Sequence, residues 1–146
     1  MQVSEVMTKE VCSGSPLTNA AAAAELMWTN NVGSLPIVEE GGRIVGIVTD
    51  RDLFIALGTQ NRLPSELTLG EVMRREPLIC CPDDDLQDAL RSMADGNVHR
   101  LIVADNGVLK GLLSIDDVVR QVGPDWQDNV ARTLKTLTEG QTVVRP

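Results

Sequence analysis

"GIVTDRDL", residues 46–53, carries an apolar run into a hydroxyl residue and, three places later, into a carboxylate; "GLLSIDDV", residues 111–118, repeats the order Gly-apolar-apolar-Thr/Ser-x-x-Asp. The likeness extends outward from there. An offset of 66 (71 − 5) lays Glu5-Val6-Met7 on Glu71-Val72-Met73, Pro16 on Pro82, Ala23 on Ala89, Met27 on Met93, Asn31-Val32 on Asn97-Val98, Leu35 on Leu101 and Gly41 on Gly107. One extra glycine, Gly42, changes the offset to 65 (111 − 46) and brings Gly46 onto Gly111, Thr49 onto Ser114 and Asp52 onto Asp117. Landmarks of several chemical types hold their order through each copy, so the chain is a tandem duplication of a supersecondary unit.

Each copy has the same grammar. An opening strand (residues 11–13 and 78–80) and a proline lead to a helix, with Thr18 or Asp84 as N-cap and Gln87 in capping-box position. The helix buries Ala20, Ala23, Ala24 and Met27, or Leu86, Ala89, Leu90 and Met93, which follow i, i+3, i+4, i+7 spacing. Asn30-Asn31 and Gly96-Asn97 supply left-handed C-caps. The run Ala20 to Ala24 favours helix and lets it pack closely. Two apolar runs follow as a hairpin, the second with an Asn106-Gly107 turn. A second helix starts at Asp50 or Ile115 and turns Leu53, Phe54 and Leu57, or Val118 and Val119, towards the core. The predicted class is α/β (α+β), two β-α-β-β-α units. The first repeat spans residues 1–58, a polar linker 59–68, the second repeat 69–122 and a helical tail 123–146. The tail places Trp126, Val130, Leu134 and Leu137 on one face, to pack on its own domain or cover a dimer interface.

Composition narrows the function. A chain of 146 residues with 42% hydrophobic content is expected to fold without staples. A net charge of −8 and an isoelectric point near 4.5 repel phosphate-rich polymers and anionic membrane surfaces, which argues against nucleic-acid and membrane partners. The opening residues have neither a basic nor an apolar leader region, and no apolar run approaches the roughly 18 residues of a membrane span; the expected location is cytoplasmic. Cys12, Cys80 and Cys81 lack metal-site spacing and read as reduced thiols. The single histidine, His99, has no catalytic partner at motif spacing, and neither a His-Glu-x-x-His pattern nor a glycine-rich phosphate loop occurs. The chain is therefore read as no enzyme, without catalytic residues, metal site or cofactor.

The repeated Thr/Ser-x-x-Asp has two compatible readings. A hydroxyl residue at a strand-to-helix junction is a good N-cap, and an Asp three places on reaches back to the first free amides. The same geometry sets a hydroxyl beside unpaired N–H groups that favour an anion, and a carboxylate that can accept both hydroxyls of a ribose diol. On that reading Asp52 and Asp117 hold ribose, with Thr49 and Ser114 contacting ribose or phosphate. With no Tyr, one Phe and two Trp, a base has to lie between aliphatic side chains. The candidates are Val11, Cys12 and Leu35 in one copy and Leu78, Ile79 and Leu101 in the other, with plain core as the rival account of all six.

Val-Met, Pro, an alanine-containing helix, "LPIV", a turn and "GIVTDRDL", repeated as "VHRLIVADNGVLKGLLSIDDV", resemble a tandem pair of cystathionine β-synthase (CBS) domains, a Bateman module, over about residues 1 to 122. The resemblance implies two repeats about a pseudo-twofold axis, pairing of modules into a homodimer, and clefts between repeats that bind adenosine-containing ligands. AMP, ADP, ATP (with Mg²⁺), NAD and S-adenosylmethionine are the regulatory ligands so implied, acting on a protein partner in trans. The alternative is a constitutive dimerisation or interaction module without ligand. Where the first copy has Gly33-Ser34 the second has His99-Arg100, the pair that can offer positive charge and directed donors to phosphate. The family uses such a pair as a phosphate contact in some nucleotide-sensing members, so the second cleft is favoured. Ile102 stands where the first copy has Pro36, which alters the expected cleft wall.

Overall fold

A computed structural model describes residues 1–141 and divides the chain into two compact units. Among the described residues, unit 1 comprises Met1–Glu10, Leu78–Asn106 and 110–141; unit 2 comprises Val11–Pro77 with Gly107–Leu109. The first ten residues, which open the first repeat, therefore fold with the second, whereas the segment that opens the second repeat folds with the first.

In unit 2, α1 (Ala20–Asn30) is followed by the antiparallel hairpin β1 (Ser34–Val38) and β2 (Ile44–Thr49), then α2 (Asp50–Gln60) and the short α3 (Leu69–Val72). The cap of α1 is Asn19, whose side chain accepts from Ala22 N at 2.8 Å. The expected cap, Thr18, instead accepts from Ser15 N in the preceding turn. At the other end Asn31 takes the left-handed conformation, φ 52°, as its sequence position suggested. The opening strand expected at residues 11–13 is reduced to a parallel bridge between Gly14 and Ile37. Ala20, Ala23 and Met27 are buried as the helical spacing required, but Ala24 is exposed. On α2 Leu53 and Ala56 enter the core, while Phe54, expected there, is 78% exposed because it lies one position round the helix from Leu53. The 59–68 connection is more than a linker: Leu67 is fully buried and, with Leu69 and Met73, closes the core over Leu35, Ile37 and Val48.

In unit 1, β3 (Ile79–Cys80) runs parallel to β4 (Arg100–Asp105), which neighbours β5 (Val108–Ser114); the helices are α4 (Leu86–Gly96), α5 (Ile115–Gln121) and α6 (Gln127–Gln141). Here too the N-cap falls one residue late: Asp85 accepts from Gln87 N at 2.8 Å, and Asp84 accepts from Cys81 N instead. The stripe Leu86, Ala89, Leu90 and Met93 is buried throughout, and the C-cap Asn97 has φ 51°. Asn106 and Gly107 both have positive φ, 51° and 80°, the requirement of a two-residue hairpin turn. The one-residue insertion of the first repeat falls in the corresponding loop, where Gly41 and Gly42 have φ 76° and 78°. Val118 is in the core, but Val119, predicted to join it, is 48% exposed. Val3 and Val6 share that core with Leu101, Val103, Leu113 and Ile115. Helix α6 packs on the same unit through Val130 and Leu137, with Trp126 against the cluster, while Leu134 stays exposed. The described part of the tail thus packs on its own unit, and residues 142–146 of the expected tail lie outside the described residues.

Candidate functional site

Each repeat ends its second strand at a hydroxyl N-cap. In unit 2 Thr49 Oγ1 accepts from Asp52 N at 3.1 Å, and Asp52 Oδ2 accepts from Thr49 N at 3.1 Å, a closed capping box. In unit 1 Ser114 Oγ accepts from Asp117 N at 3.1 Å. The capping reading is thus correct for both hydroxyls, yet the carboxylates differ in what they hold.

Asp52, its side chain 13% exposed, turns Oδ1 to Arg74 Nη2 at 3.0 Å. Burial by itself pushes the Asp52 carboxyl up, but the Arg74 hydrogen bond, the Thr49 hydrogen bonds and the Arg74 charge outweigh it and hold the group below its ordinary value. Asp117, 12% exposed, accepts from Thr8 Oγ1 at 3.1 Å on Oδ2 and from Arg120 Nη2 at 2.6 Å on Oδ1. Thr8 and Arg74 are equivalent positions under the offset of 66 (74 − 8), immediately after the repeated Glu-Val-Met. Their backbones are placed alike: Thr8 bridges Leu112 and Arg74 bridges Ile47, one residue after the motif glycine in each copy.

That bridging explains the glycine. A Cβ on Gly111 would lie 2.5 Å from Thr8 O, and one on Gly46 would lie 2.8 Å from Arg74 O. The opening segment passes too close for any side chain, so Gly-apolar-apolar-Thr/Ser-x-x-Asp encodes both the passage of that segment and the carboxylate it meets. Sequence reasoning missed Thr8, Arg74 and Arg120. The self-alignment reaches the first two directly, since Thr8-Lys9-Glu10 continues Glu-Val-Met as Arg74-Arg75-Glu76 does.

The other candidates fall at varied depths. His99 is half-buried, and its carbonyl accepts from Ile115 N at 2.9 Å, which places it beside the Ser114 junction of the same unit; Arg100 is exposed at the start of β4. The equivalent bond in the other copy joins Asp50 N to Gly33 O. Leu35 and Leu101 are sealed in their cores, because the hairpin turns those positions inward. Val11 and Cys12 are half-buried, with Cys12 Sγ accepting from Asn30 Nδ2, and Leu78 and Ile79 are exposed. Burial, with the neighbouring Asp84 and Cys81, pushes the Cys80 thiol up to about 12. Among the described residues no helix is long and apolar enough to cross a membrane, and no cluster of His, Cys, Asp and Glu could hold a metal ion.

Comparison with known proteins agrees with this architecture. The model of the CBS domain family matches residues 3–59 and again 69–123. A CBS domain-containing protein of Bacillus subtilis, YhcV, is 34% identical over 116 residues, covering 80% of this chain and 81% of that protein. The crystal structure of CBSX2 in complex with AMP is similar with TM-score 0.72 and 30% identity, over 82% of this chain and 93% of that one. The CBS domain pair of protein MJ0100, solved in complex with 5′-methylthioadenosine and S-adenosyl-L-methionine, has TM-score 0.74 and 25% identity, over 82% of this chain and 94% of that one.

Proposed function

This chain belongs to the CBS domain family, and on that premise we propose that it is a regulatory module that takes adenosine-containing ligands at Asp52 and Asp117 and passes their occupancy to a protein partner. The observation that carries the reading is the pair of mostly buried carboxylates, each three residues after a hydroxyl N-cap and each already supplied with an arginine. Such a carboxylate accepts two hydroxyl donors at once, which a vicinal diol provides. Thr49 and Ser114 flank the sugar, and His99 and Arg100 serve phosphate on the second repeat. In unit 2 the half-buried Val11 and Cys12 offer apolar surface to a base, and in unit 1 the exposed Leu78 and Ile79 do; Leu35 and Leu101, sealed in their own cores, offer none. The solved relatives that carry AMP, 5′-methylthioadenosine and S-adenosylmethionine support the ligand class.

Calorimetric titration with AMP, ADP, ATP with Mg²⁺, NAD and S-adenosylmethionine tests it. At least one should bind, and Asp117→Ala or Asp52→Ala should weaken that ligand roughly 10- to 150-fold, the worth of a charge-assisted hydrogen bond. Heat from none of them would reject the reading in favour of a constitutive interaction module. Trp28 and Phe54, 88% and 78% exposed, favour that second reading, since large apolar side chains in the open mark contact surfaces; a homodimer through such a surface is compatible with both.

A further inference from the structure

We propose that Arg74 selects the ligand of the first repeat, making the Asp52 site a receptor for adenosine ligands that carry a 5′-phosphate in preference to the neutral nucleoside. The inference rests on the reading of Asp52 as a sugar contact. Asp52 Oδ2 is engaged by Thr49 N and Oδ1 by Arg74 Nη2, so a diol that binds this carboxylate must share or take over the oxygen that holds the guanidinium. The root of Arg74 is fixed: its N donates to Ile47 O at 2.8 Å and its O accepts from Ile47 N at 3.1 Å. Its side chain is 59% exposed, so the guanidinium can swing while remaining over the site. A neutral nucleoside that displaces it removes its counter-charge and returns nothing. A phosphate on the same sugar returns a charge, and the planar fork of donors matches two phosphate oxygens.

The second repeat lacks this device. Its equivalent of Arg74 is Thr8, an uncharged donor, and the arginine on Asp117 comes from the same helix as the carboxylate. The first repeat has Ile55 where the second has Arg120 (120 − 65 = 55), so among the described residues the cation that meets Asp52 comes from the opening segment. The cation of the first site is therefore a property of position 74.

The test measures AMP and adenosine affinity on the full chain carrying Asp117→Asn, which leaves the first site alone, with Arg74, Arg74→Thr or Arg74→Lys. With Arg74, AMP should bind at least roughly tenfold tighter than adenosine. Arg74→Thr should bring that ratio to about one by weakening AMP, leaving adenosine within about threefold; Arg74→Lys, which keeps the charge without the fork, should fall between. A ratio that ignores position 74, or an Asp117→Asn chain that binds neither ligand, overturns the inference. If the chain with both carboxylates also binds neither, the reading of the site falls with it; if it binds both and only the ratio is indifferent to Arg74, that reading stands and this one does not.

Discussion

Asp52 and Asp117 hold equivalent places in the two repeats and each has an arginine, yet the arginines arrive by different routes. Arg74 reaches Asp52 from the opening segment of the other repeat, 22 residues away in sequence; Arg120 reaches Asp117 from one turn along its own helix. A local i,i+3 pair fastens nothing but its own helix. The Arg74 pair ties α3 and its following chain to the N-terminus of α2, and on the second repeat that tie is left to the Thr8 hydroxyl. Duplication thus preserved the carboxylate and the passage of the segment across it, while the counter-charge was free to come from whichever neighbour could reach.

The passage itself can be broken at the glycines, and there the largest effect is expected. Gly111→Ala would set a methyl 2.5 Å from the Thr8 carbonyl, against 2.8 Å from Arg74 O for Gly46→Ala. Both neighbours are backbone and cannot rotate away. Overpacking of this kind costs about 1 to 3 kcal/mol, with Gly111→Ala at the upper end and Gly46→Ala below it. Urea midpoints of the two variants check the order. Equal and negligible losses would mean that the opening segments yield easily and that the glycines answer to something else.

How much of this was legible in the sequence follows from which forces are local. The hairpins, the left-handed Asn31 and Asn97, and the stripe from Leu86 to Met93 are set by spacing and turn chemistry within a few residues, and the structure has them. The caps moved by one residue because Asn19 and Asp85 compete with Thr18 and Asp84 for the same role, and the losers cap turns instead. Phe54 and Val119 are apolar but lie next to the residues that face inward, and hydrophobicity alone cannot say which neighbour wins. The carboxylates were visible as a repeated motif. Of their partners, Thr8 and Arg74 lie 109 and 22 residues away, where no local period encodes a contact and only the self-alignment points to them, whereas Arg120 stands at the i,i+3 spacing that local pairing uses.

The partners offer a finer test of the same comparison. Thr8→Ala removes a donor from a mostly buried carboxylate and should cost about 1 kcal/mol, the ordinary worth of such a hydrogen bond. Arg74→Ala removes a charge from an equally buried carboxylate, but the arginine is 59% exposed and solvent screens it, so its loss should stay below about 1 kcal/mol. Denaturation of both variants in low and high salt separates the cases: only the Arg74 deficit should shrink as salt rises. A Thr8 deficit that shrank equally would show that the two sites are held by the same electrostatics after all.

The smallest expected effect concerns acid, and it falls on unit 2. Besides Asp52, Glu71 on α3 is held down, to about 2 from 4.5, by its hydrogen bonds with Arg62 and Thr68 and by the Arg62 charge. A carboxyl whose folded value lies below its unfolded value stabilises the fold once pH exceeds the unfolded value, and that stabilisation is lost as pH falls through the folded one. The unfolded values of Asp52 and Glu71 are 3.8 and 4.5, so both contributions are complete above about pH 4.5; the Asp52 part is lost as pH falls below its unfolded value, and the Glu71 part as pH falls towards about 2. Arg62→Ala and Arg74→Ala should therefore each lower the urea midpoint slightly near neutral pH, and the native chain should converge on both variants across that acid window. Because Glu71 is 44% exposed against 13% for Asp52, solvent screens that carboxylate more and the Arg62 gap should be the smaller. Gaps that persisted unchanged at pH 2 would mean that the two arginines hold the connection by packing rather than by charge, and Arg74 would then be no more a charged partner of its carboxylate than Thr8 is.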